Sequence, residues 1–539
     1  MSFSTSTHEG RRSRLAVLAA TVAGLALVAG GALTPQSSAG AATKATTQSL
    51  TVKTPYGSVH GKKLGGAQAF LGIPFAKAPV YTRMFKSPVA PAKWTGVKDA
   101  TSKKAACLQF QPTGVKNSQP TSLDCLYLDI YRPAKAKKGE KLPVMVFYHG
   151  GAATQGSGVL YGGQTLADRT NTILVSTNYR LGASGGLSLP ALDAENPTLG
   201  SGNYAIEDQV QALKFVSKTI SSFGGDKNNV TIFGQSAGGQ AVCNLLASPL
   251  STGLFDKAII ESANCSTTPK TVTAQQENSA KFVEAAGCVA TDPNVLACIR
   301  NAWPANLVTA QQKFPITGSV TGTGVLPTAP GTAIAAGNWN KVPIMIGNVR
   351  WEQKLQNIQY ADITAPQYDQ LLVDTYGATG AAYLQTKYPA SAYSKPFYAL
   401  AAVKTDIGAG CTTENLSNAF RLQTNVYRYE FNDPTSPTLF GFQPAGTDMS
   451  SAHSGELAYI FDFTLGSKPL TTKQKKLSHS MQDYWAAFAR NGTPYVKGAP
   501  TWPRYTSTNK AIVLAPTIGV TNQLAVEHNC DFIKALPAK

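Results

Sequence analysis

The sequence predicts an α/β protein whose mostly parallel central sheet is covered by helices on both faces. Three observations carry this. Of 539 residues, 43% are hydrophobic and 14% charged, which can bury a large core and excludes intrinsic disorder. Beyond residue 50, short apolar runs alternate with helical patterns, the order expected of parallel strands buried on both sides. No internal repeat and no Pro/Gly/Ser linker divides residues 42–539, which therefore read as one large domain with long loop insertions.

The first 41 residues are a separate object. Arg11, Arg12 and Arg14 form a basic start, an apolar stretch runs from Leu15 to Leu33, and Ala39-Gly40-Ala41 fits a signal-peptidase site. The stretch is nearly long enough for a permanent membrane anchor. Gly24, Gly30, Gly31 and the small-residue exit favour cleavage instead. The Arg11-Arg12 pair permits twin-arginine export, although its neighbours fit that signal poorly. Residues 1–41 are thus expected to be a signal peptide, leaving an extracellular protein without a stable membrane anchor.

In the rest of the chain, strands are expected at 126–131, 144–148, 172–178, 230–233, 258–260, 342–346, 425–431 and 511–514. Between Asp208 and Phe223, the residues Val210, Leu213, Phe215, Val216 and Ile220 keep a helical spacing. The loops around 110–120, 300–335 and 355–420 are long.

A formal charge of +18 raises the question of a polyanionic partner. The densest basic runs are Arg132, Lys135, Lys137, Lys138, Lys141 and Lys473, Lys475, Lys476, both short and without interleaved aromatics. They read as solvated loops, and no nucleic-acid partner is expected. Eight cysteines in an exported chain favour disulfides, with 105 possible pairings. A zinc site would need C-x-x-C pairs or a nearby histidine cluster, and the sequence has neither.

Gly234-Gln235-Ser236-Ala237-Gly238 matches the G-x-S-x-G pattern of a nucleophile elbow. The pattern alone is weak, and the chain holds a second copy in Gly182-Ala183-Ser184-Gly185-Gly186. Context separates them. Ser236 follows the strand-like Val230-Thr231-Ile232-Phe233 and precedes a helix-capable run from Gln240 to Ala247. Strand, tight turn and helix together lift such a serine above a sheet. Ser184 is followed by Gly186-Leu187-Ser188-Leu189-Pro190, which is expected not to start a helix, and it reads as a loop residue.

A serine nucleophile needs donors for the oxyanion it creates. The strand at 144–148 runs into His149-Gly150-Gly151-Ala152, where small residues let backbone N–H groups converge. An acid and then a histidine should follow in chain order. Of six histidines, His8 leaves with the signal, His60 precedes the sheet and His149 belongs to the glycine loop. His453 sits in the loop Ser450-Ser451-Ala452-His453-Ser454-Gly455, whereas His479 lies in a Lys-rich helical stretch and His528 near Cys530. Two carboxylates compete for the acid: Glu352, six residues past Ile346, and Asp448, five before His453.

Over nearly all of residues 42–539 the chain resembles a type-B carboxylesterase, of the cholinesterase and carboxylesterase/lipase group of α/β-hydrolases, in its bacterial secreted form. The resemblance rests on Gly72-Ile73-Pro74-Phe75-Ala76, Asp124-Cys125-Leu126-Tyr127-Leu128, Asn178-Tyr179-Arg180-Leu181-Gly182, Phe223-Gly224-Gly225-Asp226 and the strand entering the elbow. It implies an α/β-hydrolase fold and cleavage of small-molecule or lipid esters without metal or cofactor. It places the nucleophile at Ser236, the acid at Glu352, the base at His453 and oxyanion donors at the N–H groups of Gly151, Ala152 and Ala237. A supporting serine falls at Ser262. It also implies the disulfides Cys107–Cys125, Cys288–Cys298 and Cys411–Cys530. Cys243–Cys265 rests on geometry instead: Cys243 lies about two helical turns past Ser236, and Cys265 follows the adjoining strand. Two buried thiols are the alternative there.

Some positions depart from the family pattern. Gln235 replaces a usual Glu, so a buried partner expected for Arg180 is lost or replaced. Ala152 replaces the third glycine of the oxyanion loop but keeps its N–H. Gln353 and Ser454 replace glycines beside the acid and the base, and Gly186 stands in place of an aromatic residue. These departures bear on substrate choice more than on the reaction. Adhesion proteins that resemble these enzymes lose the serine or its partners, whereas every catalytic group is present here. An amidase or peptidase would be the nearest chemical alternative.

Overall fold

All seven residues of the strand Leu142–Tyr148 are buried, and successive side chains enter different cores. Val144, Val146 and Tyr148 join one core, Met145 and Phe147 the other. A strand with no polar face needs cover on both sides, and this one sits in the middle of an eleven-stranded sheet. The computed structural model describes residues 49–110, 120–137, 139–438, 443–461 and 468–539, which pack as one unit within Thr46–Lys539. The expected signal peptide, residues 1–41, lies outside the described residues.

The sheet strands are β1 (Lys62–Leu64), β2 (Ala67–Pro74), β3 (Tyr127–Pro133), β4 (Leu142–Tyr148), β5 (Ile173–Thr177) and β6 (Gly225–Gln235). They continue with β7 (Lys257–Glu261), β8 (Ile344–Val349), β9 (Val426–Phe431), β10 (Ala511–Leu514) and β11 (Gly519–Thr521). In space they run β1-β2-β3-β5-β4-β6-β7-β8-β9-β10-β11. From β5 to β10 every neighbouring pair is parallel, and the outer pairs are antiparallel.

Helices α1 (Gly182–Gly186), α2 (Tyr204–Thr219), α3 (Ala237–Ala247), α4 (Gln353–Gln356), α5 (Cys411–Arg421) and α6 (Thr472–Asn491) are the ones that bear on the site. Leu213 and Phe215 of α2, Val242 and Leu245 of α3, and Leu416 and Phe420 of α5 pack in the first core. Leu477, Met481, Trp485 and Phe488 of α6 fill the second. One face of α6 is therefore apolar, and its lysines are exposed in the first turns.

Several expectations need correction. Ser184 is not in a loop: it lies inside α1, and Pro190 opens a further helix, Pro190–Glu195. Proline is well placed at a first helical position, where its missing N–H costs nothing. The same reason makes helices of segments expected to be loops, since Pro304–Lys313, Pro330–Ala336 and Pro396–Thr405 each begin at a proline. Residues 111–119 of the remaining loop lie outside the described residues.

Nor are both basic runs solvated loops. Arg132 is buried, giving its guanidinium to Gln68 Oε1 at 2.8 Å and to the carbonyl of Ser49 at 2.7 Å. Lys473, Lys475 and Lys476 are exposed but helical, in the first turns of α6. Lys138 lies outside the described residues.

The four sulfur bridges are Cys107–Cys125, Cys243–Cys265, Cys288–Cys298 and Cys411–Cys530. Cys243–Cys265 ties α3 to the segment after β7. Among the described residues no helix is long and apolar enough to cross a membrane.

Candidate active site

The candidate residues leave the carboxyl ends of adjacent parallel strands, where open α/β sheets place their ligands. His149 follows β4, Ser236 follows β6, Ser262 follows β7, and Glu352 comes three residues after β8. Ser236 joins β6 to α3 with φ 59° and ψ −123°. Its N–H donates to the Glu261 carbonyl at 2.9 Å, and its own carbonyl accepts from Gln240 N–H at 2.9 Å. Glycine is required two residues later, because a Cβ on Gly238 would lie 1.9 Å from the Tyr148 carbonyl oxygen.

The glycine loop lies against this turn: a Cβ on Gly150 would approach the Cβ of Ser236 to 3.2 Å. Gly151 has φ 108°, Ala152 φ 55° and Ala153 φ 56°. Among the described residues the N–H groups of Gly151, Ala152 and Ala237 have no acceptor, so all three are unspent donors. The neighbouring backbone is well tied, with Gln155 N–H bonded to the Gly151 carbonyl at 3.0 Å and Gly182 N–H to the Ala153 carbonyl at 2.7 Å. Asn178 holds the end of the loop by accepting from Ser157 Oγ at 2.8 Å and from Gly158 N–H at 2.9 Å. His149 itself is buried, which pushes its pKa down to about 4 against the hydrogen bond to Gly150, so it is neutral.

His453 and Glu352 are brought together. Nδ1 of His453 lies 2.5 Å from Glu352 Oε2, while Glu352 Oε1 accepts from Val349 N–H at 2.9 Å. The carboxylate is nearly enclosed and the imidazole 11% exposed. Burial pushes the imidazole pKa down, but the charge and hydrogen bond of Glu352 outweigh it and leave the pKa raised. Asp448 is not brought to the imidazole: its carboxylate takes Lys354 Nζ at 2.9 Å.

Gln235 connects the Ser236 turn to the histidine loop. Its Oε1 accepts from Ser454 Oγ at 2.9 Å, and its Nε2 lies 3.4 Å from His453 Nε2. Arg180 has no need of residue 235, because Asp208 on α2 takes its guanidinium through two bonds of 2.7 and 2.8 Å. Gly186 is buried, with Ile316 filling the space where a side chain would stand.

Two buried carboxylates behind the histidine escape sequence reasoning. Glu456 accepts from Ser262 Oγ at 3.2 Å, and burial, then the charges of Glu352 and Glu261, push its pKa up to about 8. Burial likewise pushes Glu261 up to about 7, against its hydrogen bond from Trp485. Both can be protonated near neutrality, which limits the negative charge gathered around Glu352. The one signal available for them was proximity, since Glu456 is three residues past His453 and Glu261 immediately precedes Ser262.

Of eleven described non-glycine residues with positive φ, six are Ala152, Ala153, Ser236, Ser262, Ser451 and Ser454. Strained backbone is therefore concentrated on the turns at and beside the candidate residues, as it is at functional sites generally.

Residues 48–533 match the model of the carboxylesterase family. The chain is 32% identical to the acylcarnitine hydrolase of Rattus norvegicus, over 91% of its own length and 92% of the relative's. It is also 32% identical to the para-nitrobenzyl esterase of Bacillus subtilis, over 87% and 96%. Among solved structures, a PNB esterase superposes with a TM-score of 0.77 at 29% identity, covering 91% of this chain and all of that one. The fold and these matches define an α/β-hydrolase that acts on carboxylic esters as a serine hydrolase. The chain belongs to the carboxylesterase family.

Proposed function

We propose that this protein is a secreted carboxylesterase or lipase that cleaves esters through an acyl-enzyme on Ser236. His453 takes the Ser236 proton as Oγ attacks the ester carbonyl, and Glu352 orients the imidazole and stabilises the imidazolium. The N–H groups of Gly151, Ala152 and Ala237 receive the oxyanion. The tetrahedral intermediate then expels the alcohol, which leaves with the proton from His453. Water, deprotonated in turn by His453, attacks the acyl carbonyl and releases the acid and free Ser236.

One observation carries this reading: the 2.5 Å bond from His453 Nδ1 to Glu352, in a histidine loop that is hydrogen-bonded to Gln235, the residue before the strained Ser236 turn. The unspent donors of the glycine loop support it. Relatives are named for acylcarnitine, cocaine and para-nitrobenzyl esters, which favours small-molecule esters as substrates.

Secretion is supported by the signal-like residues 1–41 and by four disulfides, and it leaves 42–539 as one catalytic domain with Ser262 as a supporting residue. The test is a panel of p-nitrophenyl esters of increasing acyl length beside an emulsified triglyceride. Turnover of soluble esters is expected. A folded protein that cleaves none of them would end the proposal, and a preference for the emulsion would make it a lipase.

A further inference from the structure

Asp448, the alternative acid by chain position, has a different partner, and that partner is buried. The side chain of Lys354 is 2% exposed and that of Asp448 59%. Lys354 Nζ donates to Asp448 Oδ2 at 2.9 Å and to the Ser450 carbonyl at 3.1 Å. It also lies 4.9 Å from the ring centre of Trp351 and 5.4 Å from that of Tyr398. Aromatic faces attract a cation, but they do not replace the water it has lost. An ammonium in such surroundings needs its anion and its carbonyl, so its place is closely defined.

That place spans two loops. Lys354 is two residues past Glu352, whereas Asp448 and Ser450 are five and three residues before His453. The same loops meet at one backbone bridge, where Trp351 N–H donates to the Ser451 carbonyl at 3.0 Å. A single bridge acts as a hinge and leaves the loops free to rotate about it. Apart from the Glu352–His453 bond itself, the ammonium supplies a second point of attachment on the same two loops. Asp448 is anchored too, accepting from Ser450 N–H at 3.0 Å and from Ser450 Oγ at 2.9 Å, while its own N–H donates to Tyr398 Oη at 2.7 Å.

We propose that the Lys354–Asp448 pair clamps the Glu352 loop to the His453 loop, which makes Lys354 and Asp448 positioning residues for ester hydrolysis. The clamp rests on the reading of Glu352 and His453 as acid and base. It acts on a bond whose geometry falls off within a fraction of an ångström, so loosening it lowers the chemical step and leaves substrate binding alone.

The test compares Lys354→Met, Asp448→Asn, their double variant and Lys354→Arg in the purified protein. Kinetics on p-nitrophenyl acetate are paired with proton NMR of the far-downfield His453 Nδ1–H. Lys354→Met should lower kcat about 30-fold with KM nearly unchanged, and Asp448→Asn about 5-fold. The double variant should be no worse than Lys354→Met alone. The Nδ1–H signal should weaken or move upfield in both single variants, and Lys354→Arg should recover most of the rate and the signal.

A folded Asp448→Asn or Lys354→Met protein with the wild-type kcat overturns the clamp. So does a lost rate with an unchanged Nδ1–H signal. If Lys354→Met does not fold, Asp448→Asn decides alone, since its carboxylate is largely exposed. The Ser236→Ala and Glu352→Gln variants separate the two readings. Full turnover in the first, or an intact downfield signal in the second, overturns the acid–base assignment and the clamp with it.

Discussion

Ser454 donates its hydroxyl to Gln235 Oε1 at 2.9 Å, so the residue after the candidate base is tied to the residue before the candidate nucleophile. The same amide puts Nε2 3.4 Å from His453 Nε2. A carboxylate there would stabilise the imidazolium and raise the His453 pKa further. The base must be neutral to act, so activity would be lost at higher pH than in the wild type. Gln235→Glu should therefore move the acidic limb of kcat/KM upward by about one pH unit. An unmoved limb would mean that residue 235 does not face the base.

Glu352→Gln should cost about 10⁴-fold in kcat, because an amide cannot stabilise the imidazolium and can select the wrong tautomer. Asp448→Asn should cost far less. Steady-state kinetics on one ester settle the ranking, and the reverse order would move the acid to Asp448.

His528 gives a stability prediction. Its side chain is 1% exposed, with Nδ1 2.6 Å from Asp406 Oδ1 and Nε2 hydrogen-bonded to Glu430. Burial pushes its pKa down, but the charges and hydrogen bonds of Glu430 and Asp406 raise it from 6.5 to about 9. A raised histidine stabilises fully below its unfolded pKa and loses that contribution as pH rises through its folded one. Denaturant unfolding should show wild type losing up to about 3 kcal/mol more than His528→Gln between about pH 6 and pH 10. Parallel curves would show that the imidazolium is not the charged species.

Peptide mapping after alkylation, without reduction, should recover the four cystine pairs. Cys243–Cys265 closes a loop of 22 residues, and loop-closure entropy assigns it about 3 kcal/mol. Alkylated Cys243 and Cys265 would remove that bridge, and any crossed linkage would contradict the whole set.

The parallel strands are legible in the sequence because burial on both faces writes an unbroken apolar run, as in Leu142–Tyr148. Ala67–Pro74 is harder to see, because its antiparallel pairing shifts register between Phe70 and Ile73 and Gly72 and Pro74 look like breakers. Helices that open at Pro304, Pro330 and Pro396 are hidden by the same habit of reading proline as an end. At the site, the elbow at Ser236 is a local pattern and can be read directly. Glu352 is favoured over Asp448 by its place just past a strand end, and the resemblance adds to that. Lys354, Glu261 and Glu456 carry no local signal beyond lying within three residues of Glu352, Ser262 and His453, since their surroundings are assembled from segments about a hundred or more residues apart.

The central claim is that Ser236 carries the acyl group. A fluorophosphonate that phosphonylates activated serines, followed by mass spectrometry of the digested protein, tests it most directly. The label should appear on the Ser236 peptide in step with the loss of esterase activity, and Ser236→Ala should lower kcat by about four to six orders of magnitude while Ser184→Ala changes it little. Complete inhibition with Ser236 unmodified, or a label on Ser184, would contradict the account.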